Sequence, residues 1–226
     1  MKDTMKLDLP LAHLHRAANP TAGDSWLLVL MHGVGSNEAD LFGLAPAVPP
    51  QFHVLSLRAP NVLGPGSYAW FEFGVRPTGE RVINEAQEAT SRAQLATLIT
   101  SAAKQLGVPA EHVVVGGFSQ GGIMSLSLLL TQPALMHGAM ILHSRLLPQI
   151  LALQAPAEAL RGKQLWVSHG VQDNMIPLAS AHQIRDHVSA LPLTLKYAEF
   201  PGMHEIRPEE LRQATAWLKG LTQSSA

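Results

Sequence analysis

The sequence predicts an α/β protein with a mostly parallel central sheet and helices on both faces. Three observations carry this. Six short apolar segments, at 26–31, 52–58, 112–118, 138–143, 164–169 and 193–200, are nearly continuous rather than alternating, the pattern of strands buried on both faces. Helical patterns lie between them, which supplies the crossovers that parallel strands need. No Pro/Gly/Ser-rich linker interrupts the alternation, so residues 1–226 are expected to form one domain.

The helices follow from local signals. The clearest spans 84–106, where Ala86, Ala89, Ala93, Ala96, Ile99, Ala103 and Leu106 recur at steps of three and four. Asn84 with Gln87 suits a capping box, and Gly107 followed by Pro109 suits the stop. A last helix is predicted from Pro208, with Glu209 and Glu210 in its first turn, to a stop before Gly220. Shorter helices fit 37–44, 119–131 and 178–190, and 222–226 read as a frayed tail. The connection from Ala59 to Arg81 is too long and too rich in Pro and Gly for a plain turn. It holds Tyr68, Trp70, Phe71 and Phe73, four of the 12 aromatic residues, and is expected to line a site.

Composition excludes several classes. Net charge is −1, with 16 Lys plus Arg against 17 Asp plus Glu, so no clustered positive excess points to nucleic acid. There is no Cys, which excludes a disulfide framework, thiolate metal sites and cysteine nucleophiles. The start, Met1 to Asp8, carries no apolar leader, and no apolar run approaches the ~20 residues of a membrane span. A cytoplasmic protein without integral membrane association is expected.

Gly117-Phe118-Ser119-Gln120-Gly121 follows the predicted strand at 112–118 and opens the predicted helix at 119–131. A chain that turns from strand to helix within two residues forces the central Ser into a strained backbone, with no room for side chains at either flanking Gly. The turn lifts Ser119 Oγ clear of the sheet, where a substrate carbonyl can meet it. With 18 Gly in 226 residues, the motif arises by chance well under once per chain. The competing reading is a Gly-rich helix entry without chemistry.

A serine nucleophile needs a base held by a third group, in the chain order Ser, acid, His on such a sheet. Asp173 lies just past the 164–169 strand, at the sheet edge where α/β sites form. Asp186 and Glu199 fall inside a helix and a strand and read as solvated. His204 lies between the last strand and the last helix, and the 174–203 stretch holds one helix and one strand, which returns the chain to the same edge. Most of the 11 histidines must be structural or on the surface. His32, His143 and His169 lie near strand ends but are weaker candidates for the base. His32-Gly33-Val34-Gly35 follows the 26–31 strand, and the N–H groups of Val34 and Gln120 are the candidate oxyanion donors. An acyl or alcohol pocket is expected from Trp70 and Phe71 of the long loop, with Val34, Leu146, Met175, Ile176 and Met203. Core packing is the competing reading of Trp70.

With these residues in place, the sequence resembles the phospholipase/carboxylesterase family of α/β-hydrolases, which includes acyl-protein thioesterases and small bacterial carboxylesterases. The resemblance rests on Leu30 to Glu38 with Asp40-Leu41, Leu57-Arg58-Ala59-Pro60, Gly64 to Phe71, Gly116 to Gly122, His169 to Asp173 with Pro177, and Gly202-Met203-His204. It implies an α/β-hydrolase fold without a separate lid domain, Ser119 as nucleophile, Asp173 as orienter, His204 as base, and Val34 and Gln120 as oxyanion donors. It also implies hydrolysis of carboxylic esters or thioesters with no cofactor and no metal. One departure stands out. Leu142-His143-Ser144-Arg145 occupies the place where the family often has a Ser-Gly pair, and Arg145 is a candidate to narrow the pocket or to meet an anionic group.

Short to medium acyl chains are therefore expected, with a long-chain lysophospholipase or acyl-protein thioesterase as the alternative. A non-catalytic binding protein on the same fold is a further reading, opposed by the intact Ser, Asp and His. A metal-dependent hydrolase built on His13 and His15 lacks an evident third ligand. The expected partner is a small-molecule ester or thioester. Nucleic acid is not expected, and self-association, if any, is expected to give a homodimer.

Overall fold

The computed structural model describes residues 7–19, 21–77 and 81–223. Seven strands form the main sheet: β1 (His13–Arg16), β2 (Trp26–Met31), β3 (Phe52–Leu57), β8 (Val113–Phe118), β9 (Gly138–Leu142), β10 (Gln164–Gly170) and β11 (Thr194–Phe200). Their order is β1-β3-β2-β8-β9-β10-β11, and every pairing is parallel except β1 with β3. The six strands read from the apolar segments are all present, each within one residue at either end. β1 was not assigned from the sequence, since it is a four-residue edge strand without an apolar run.

The central strands are buried on both faces. All six residues of β2 and all five of β9 are buried. Along β2 the side chains alternate between two cores. Leu27, Val29 and Met31 pack with helices α2 (Glu85–Leu106), α3 (Gln120–Thr131) and α5 (Leu178–Val188). Trp26, Leu28 and Leu30 pack with α1 (Glu38–Phe42) and α6 (Pro208–Leu221). Edge strand β11 departs from the apolar expectation: Thr194, Lys196 and Glu199 are exposed on it.

Helix α2 has the predicted bounds, but the predicted face meets the core only in its second half, through Ala96, Ile99, Ala103 and Leu106. Its buried residues are Glu88, Ser91, Leu95, Leu98, Ile99, Ala102 and Ala103, while Ala86, Ala89 and Ala93 are exposed. The alanine row fails in the first half because a methyl group buries little area, and the larger Leu and Ile side chains decide which way the helix turns. Asn84 caps it by accepting from Gln87 N–H at 3.1 Å, but Gln87 Oε1 accepts from Glu72 N–H instead of closing a capping box. Gly107, at φ 67°, ends it in the left-handed conformation. Helix α6 runs through Gly220 to Leu221, because a helical Gly with free space around it costs only about 1 kcal/mol against Ala.

The long connection is not structureless. It folds into two hairpins, β4 (Asn61–Gly64) with β5 (Ser67–Ala69) and β6 (Phe73–Val75) with β7 (Arg81–Ile83). Residues 78–80 of that loop, and 224–226 of the expected tail, lie outside the described residues. The 144–162 stretch holds only α4 (Pro148–Leu151) and a short 3₁₀ turn at Ala157–Leu160. No helix is long and apolar enough to cross a membrane.

From β2 the chain steps to β3 on one side and later to β8 on the other. Sites in open α/β sheets form where strand order reverses in this way, at the carboxyl ends of the strands. The loops after β2 and β8 carry His32 to Gly35 and Ser119 respectively.

Candidate active site

Ser119 sits between β8 and α3 at φ 54°, ψ −117°. It and His143 (φ 48°) are the two non-glycine residues with positive φ among the described residues. Such a backbone costs roughly 1–3 kcal/mol and persists only where its surroundings enforce it. Here the enforcement is visible. A Cβ on Gly121 would lie 1.8 Å from the Met31 carbonyl oxygen, and one on Gly117 would lie 2.4 Å from the Gly121 carbonyl carbon. Ser119 N–H donates to the Leu142 carbonyl at 2.9 Å, and Ser144 Oγ–H donates to the Ser119 carbonyl at 3.0 Å. The end of β9 thus holds the turn in place.

Asp173 and His204 meet as their sequence positions predicted. Asp173 Oδ2 accepts from His204 Nδ1–H at 2.6 Å, and Oδ1 accepts from the N–H groups of Met175 and Ile176, each at 2.8 Å. Burial alone would raise the Asp173 pKa. The bonds from His204, Ile176 and Met175 outweigh it and hold the carboxylate below its usual range. The His204 side chain is 16% exposed, and its ring centroid lies 4.7 Å from that of Phe118, the residue before Ser119. Asp186 and Glu199 are exposed, as expected.

The loop after β2 is fixed from behind. His32 is fully buried. Its Nδ1–H donates to the Gly33 carbonyl at 2.7 Å and its Nε2 accepts from Ala59 N–H at 3.1 Å, so the ring is neutral with the proton on Nδ1. Burial pushes its pKa down accordingly. Among the described residues Val34 N–H has no acceptor within the chain, and Gln120 N–H, at the first position of α3, has none within its helix. Both donors are free to meet a ligand.

The pocket residues divide. Val34, Met175 and Met203 are 38%, 51% and 49% exposed and lie within two residues of His32, Asp173 and His204 in the chain, while Leu146 is half-buried against the core. Trp70, Phe71 and Ile176 are buried and offer almost no surface to a substrate. The expectation that Trp70 and Phe71 wall the pocket is corrected in this respect. Trp70 Nε1–H donates to the His32 carbonyl at 2.9 Å, and Gln120 clamps the same loop through Trp70 N–H to Oε1 (2.8 Å) and Nε2–H to the Phe71 carbonyl (2.6 Å). Two amphipathic side chains, Trp70 and Gln120, tie the aromatic loop to the backbone of both candidate oxyanion elements.

Two residues beside the site have contacts that the sequence did not predict: His143, weighed there only as a weaker candidate for the base, and Glu210. His143 is buried, with Nδ1 3.2 Å from Asp173 Oδ2 and Nε2 3.1 Å from Glu210 Oε2. Its one sequence signal is its place directly after a strand, like Ser119. Glu210 is fully buried on the first turn of α6, where no pattern separated it from exposed Glu209. His169, also buried, donates Nε2–H to the Ile176 carbonyl at 2.8 Å, and burial lowers its pKa, which keeps it neutral. Donor atoms of His143, Asp173 and His204 lie within 4.8 Å of one another, close enough to hold a metal ion, but each is already engaged in the bonds above. His13 and His15 are on β1, at the opposite end of the strand order from β10 and β11, and His15 Nε2 lies 3.2 Å from His53 Nδ1.

The arrangement has relatives. MhqD of Bacillus subtilis (strain 168) is 26% identical over 193 residues, 85% of this chain and 92% of that protein. An acyl-protein thioesterase 1 of Gibberella zeae is 33% identical over 116 residues, which is 50% of this chain and 49% of that protein. The chain therefore aligns with about half the length of that fungal relative. Among solved structures, the Bacillus cereus carboxylesterase superposes with a TM-score of 0.81 at 23% identity, over 94% of this chain and 95% of that one, which shows a shared fold. Residues 14–222 match the family model described as Phospholipase/Carboxylesterase. The chain belongs to the phospholipase/carboxylesterase family, carboxylic ester hydrolases on the α/β-hydrolase fold.

Proposed function

We propose that the protein hydrolyses carboxylic esters of short to medium acyl chains, and the corresponding thioesters, through an acyl-enzyme on Ser119. The observation that carries this is Ser119, held at positive φ between two obligatory glycines at the sheet edge where His204 is bonded to Asp173. Ser119 Oγ attacks the carbonyl carbon while its proton passes to His204 Nε2. Asp173 stabilises the resulting imidazolium through Nδ1–H. Val34 N–H and Gln120 N–H receive the oxyanion, each worth roughly 3–4 kcal/mol of barrier. Collapse expels the alcohol or thiol, which takes the proton from His204. Water then repeats the sequence on the acyl-serine and releases the acid. No cofactor enters the reaction.

A rim of Val34, Met175 and Met203 is apolar but open, and each methylene it covers contributes about 0.8 kcal/mol. Selectivity should rise with chain length only while the chain stays on this rim. Rates on p-nitrophenyl esters from acetate to palmitate, with acyl thioesters alongside, test the reading. A maximum at or below octanoate supports it, and a rate that climbs through palmitate gives the long-chain alternative.

A further inference from the structure

Asp173 Oδ2 has three histidines around it, His204 at 2.6 Å, His143 at 3.2 Å and His169, whose Nε2 lies 3.4 Å away while donating to the Ile176 carbonyl. A catalytic carboxylate needs only the first. His143 continues to Glu210 Oε2 at 3.1 Å, and Glu210 continues further. Its Oε1 accepts from Ser168 Oγ–H at 2.6 Å, and Ser168 Oγ accepts from Trp166 Nε1–H at 3.1 Å. Arg207 N–H approaches Glu210 Oε2 at 3.3 Å from the first turn of α6.

The hydrogen-bond inventory fixes the protons along this row. Asp173 already accepts at both oxygens and has no proton to give. Glu210 accepts at both oxygens as well. An ionised carboxylate can only accept, so His143 can bond to both only with a proton on each nitrogen. Gly170 N–H also passes Nδ1, at 3.4 Å, but that longer contact to a neutral donor yields to the carboxylate at 3.2 Å. The other groups against the ring are His169, stacked at 5.3 Å, His204, edge-on at 5.7 Å, and the Phe118 ring at 5.5 Å. Burial lowers the His169 pKa and keeps that ring neutral, so the charges facing His143 are the two carboxylates and, during turnover, His204.

We propose that His143 is a positioning residue, an imidazolium held between Asp173 and Glu210, which fixes Asp173 Oδ2 toward His204 and sets the charge that the catalytic base feels. The inference rests on the Ser119–His204–Asp173 reading above. Without Glu210, a fixed positive charge beside His204 would oppose its protonation in the transition state. With Glu210 buried behind it, the added pair is neutral, and the row keeps the single negative charge of a lone Asp173. Burial by itself would push the His143 pKa down, and the bonds and charges of Glu210 and then Asp173 reverse this and raise it.

The position suits a test. His143 is at φ 48°, a conformation Asn tolerates, and Asn can still donate toward Asp173. His143→Asn strands the Glu210 carboxylate and is expected to lower the melting temperature. The double variant His143→Asn, Glu210→Gln leaves no unpaired buried charge and is expected to recover most of that loss. Its kcat should remain about tenfold below wild type with KM within twofold. The acid limb of its kcat/KM profile should move up by about half a pH unit or more, since a positive charge 5.7 Å from the base ring has gone and the compensating negative one was farther away. A merely structural His143 would give a refolded double variant with wild-type kcat and an unshifted limb, which would overturn the proposal. An independent readout needs no variant: nitrogen NMR of ¹⁵N-histidine-labelled wild type at pH 7.5 should show the His143 ring protonated at both nitrogens, and a neutral ring there would overturn the proposal equally. Fluorophosphonate labelling of wild-type Ser119 separates the two readings. Labelled Ser119 with a neutral His143 sinks only this inference, while unlabelled Ser119 sinks the triad itself.

Discussion

Trp70 Nε1–H and the His32 carbonyl are joined by a 2.9 Å hydrogen bond wholly inside the protein. Trp70 is therefore tied to the backbone of the candidate oxyanion loop and offers almost no surface to a substrate. Trp70→Phe keeps most of the buried ring and removes the donor. It leaves a buried carbonyl short of a partner, at a cost of about 1–3 kcal/mol. Expected are a melting temperature lower by several degrees and a kcat down about tenfold, with the ratio of butyrate to octanoate rates unchanged. A changed ratio would return Trp70 to the acyl pocket.

Asp173→Asn should leave KM within a few-fold and lower kcat by three to four orders of magnitude, as expected for loss of tautomer control and of the imidazolium's partner. Steady-state kinetics on one ester checks it. A kcat near wild type would move the acid role to another carboxylate.

Two glycines make opposite predictions. Gly121→Ala places a methyl 1.8 Å from the Met31 carbonyl oxygen, a backbone atom of the central strand that cannot yield. Little folded protein should be recovered. Gly220→Ala adds a methyl where nothing lies within 4 Å, in the last turn of α6, and should stabilise by up to about 0.5–1 kcal/mol in a urea titration.

Burial, aided by the charges of His15 and Arg16, lowers the His53 pKa to about 4 from 6.5. Its Nδ1 accepts from Ala18 N–H at 3.2 Å, which protonation would break. The unfolded chain then binds more protons than the folded one between pH 6.5 and 4, so stability rises with pH through that window and is lost as pH falls through it. Melting temperature should fall from pH 6.5 to pH 4. His53→Asn, which keeps an acceptor for Ala18, should flatten that slope. An identical slope in the variant would assign the loss to other groups.

The strands and the candidate triad are legible in the sequence because each has a local signature. A strand buried on both faces is a continuous apolar run, and an elbow glycine is forced by contact with its own neighbours. Asp173 and His204 were found by position, each just past a strand that had already been placed. The helix faces were less legible: in α2 the first alanines of the regularly spaced row, Ala86, Ala89 and Ala93, are exposed, while Leu95, Leu98 and Ala102 join Ile99 and Ala103 on the buried side. Trp70 was misread because its role depends on an acceptor 38 residues earlier in the chain. The contact of His143 with Glu210 is not legible for the same reason, since they are 67 residues apart and meet only once α6 packs on β10. Contacts of that range leave no periodic trace.

The account turns on Ser119 as the residue that carries the acyl group. Incubation of the wild-type protein with a fluorophosphonate, followed by peptide mass spectrometry, measures this directly. One phosphonyl group on Ser119 is predicted, with loss of esterase activity in step with labelling and no label on the Ser119→Ala variant. A label on any other serine, or full esterase activity with Ser119 blocked, would contradict it.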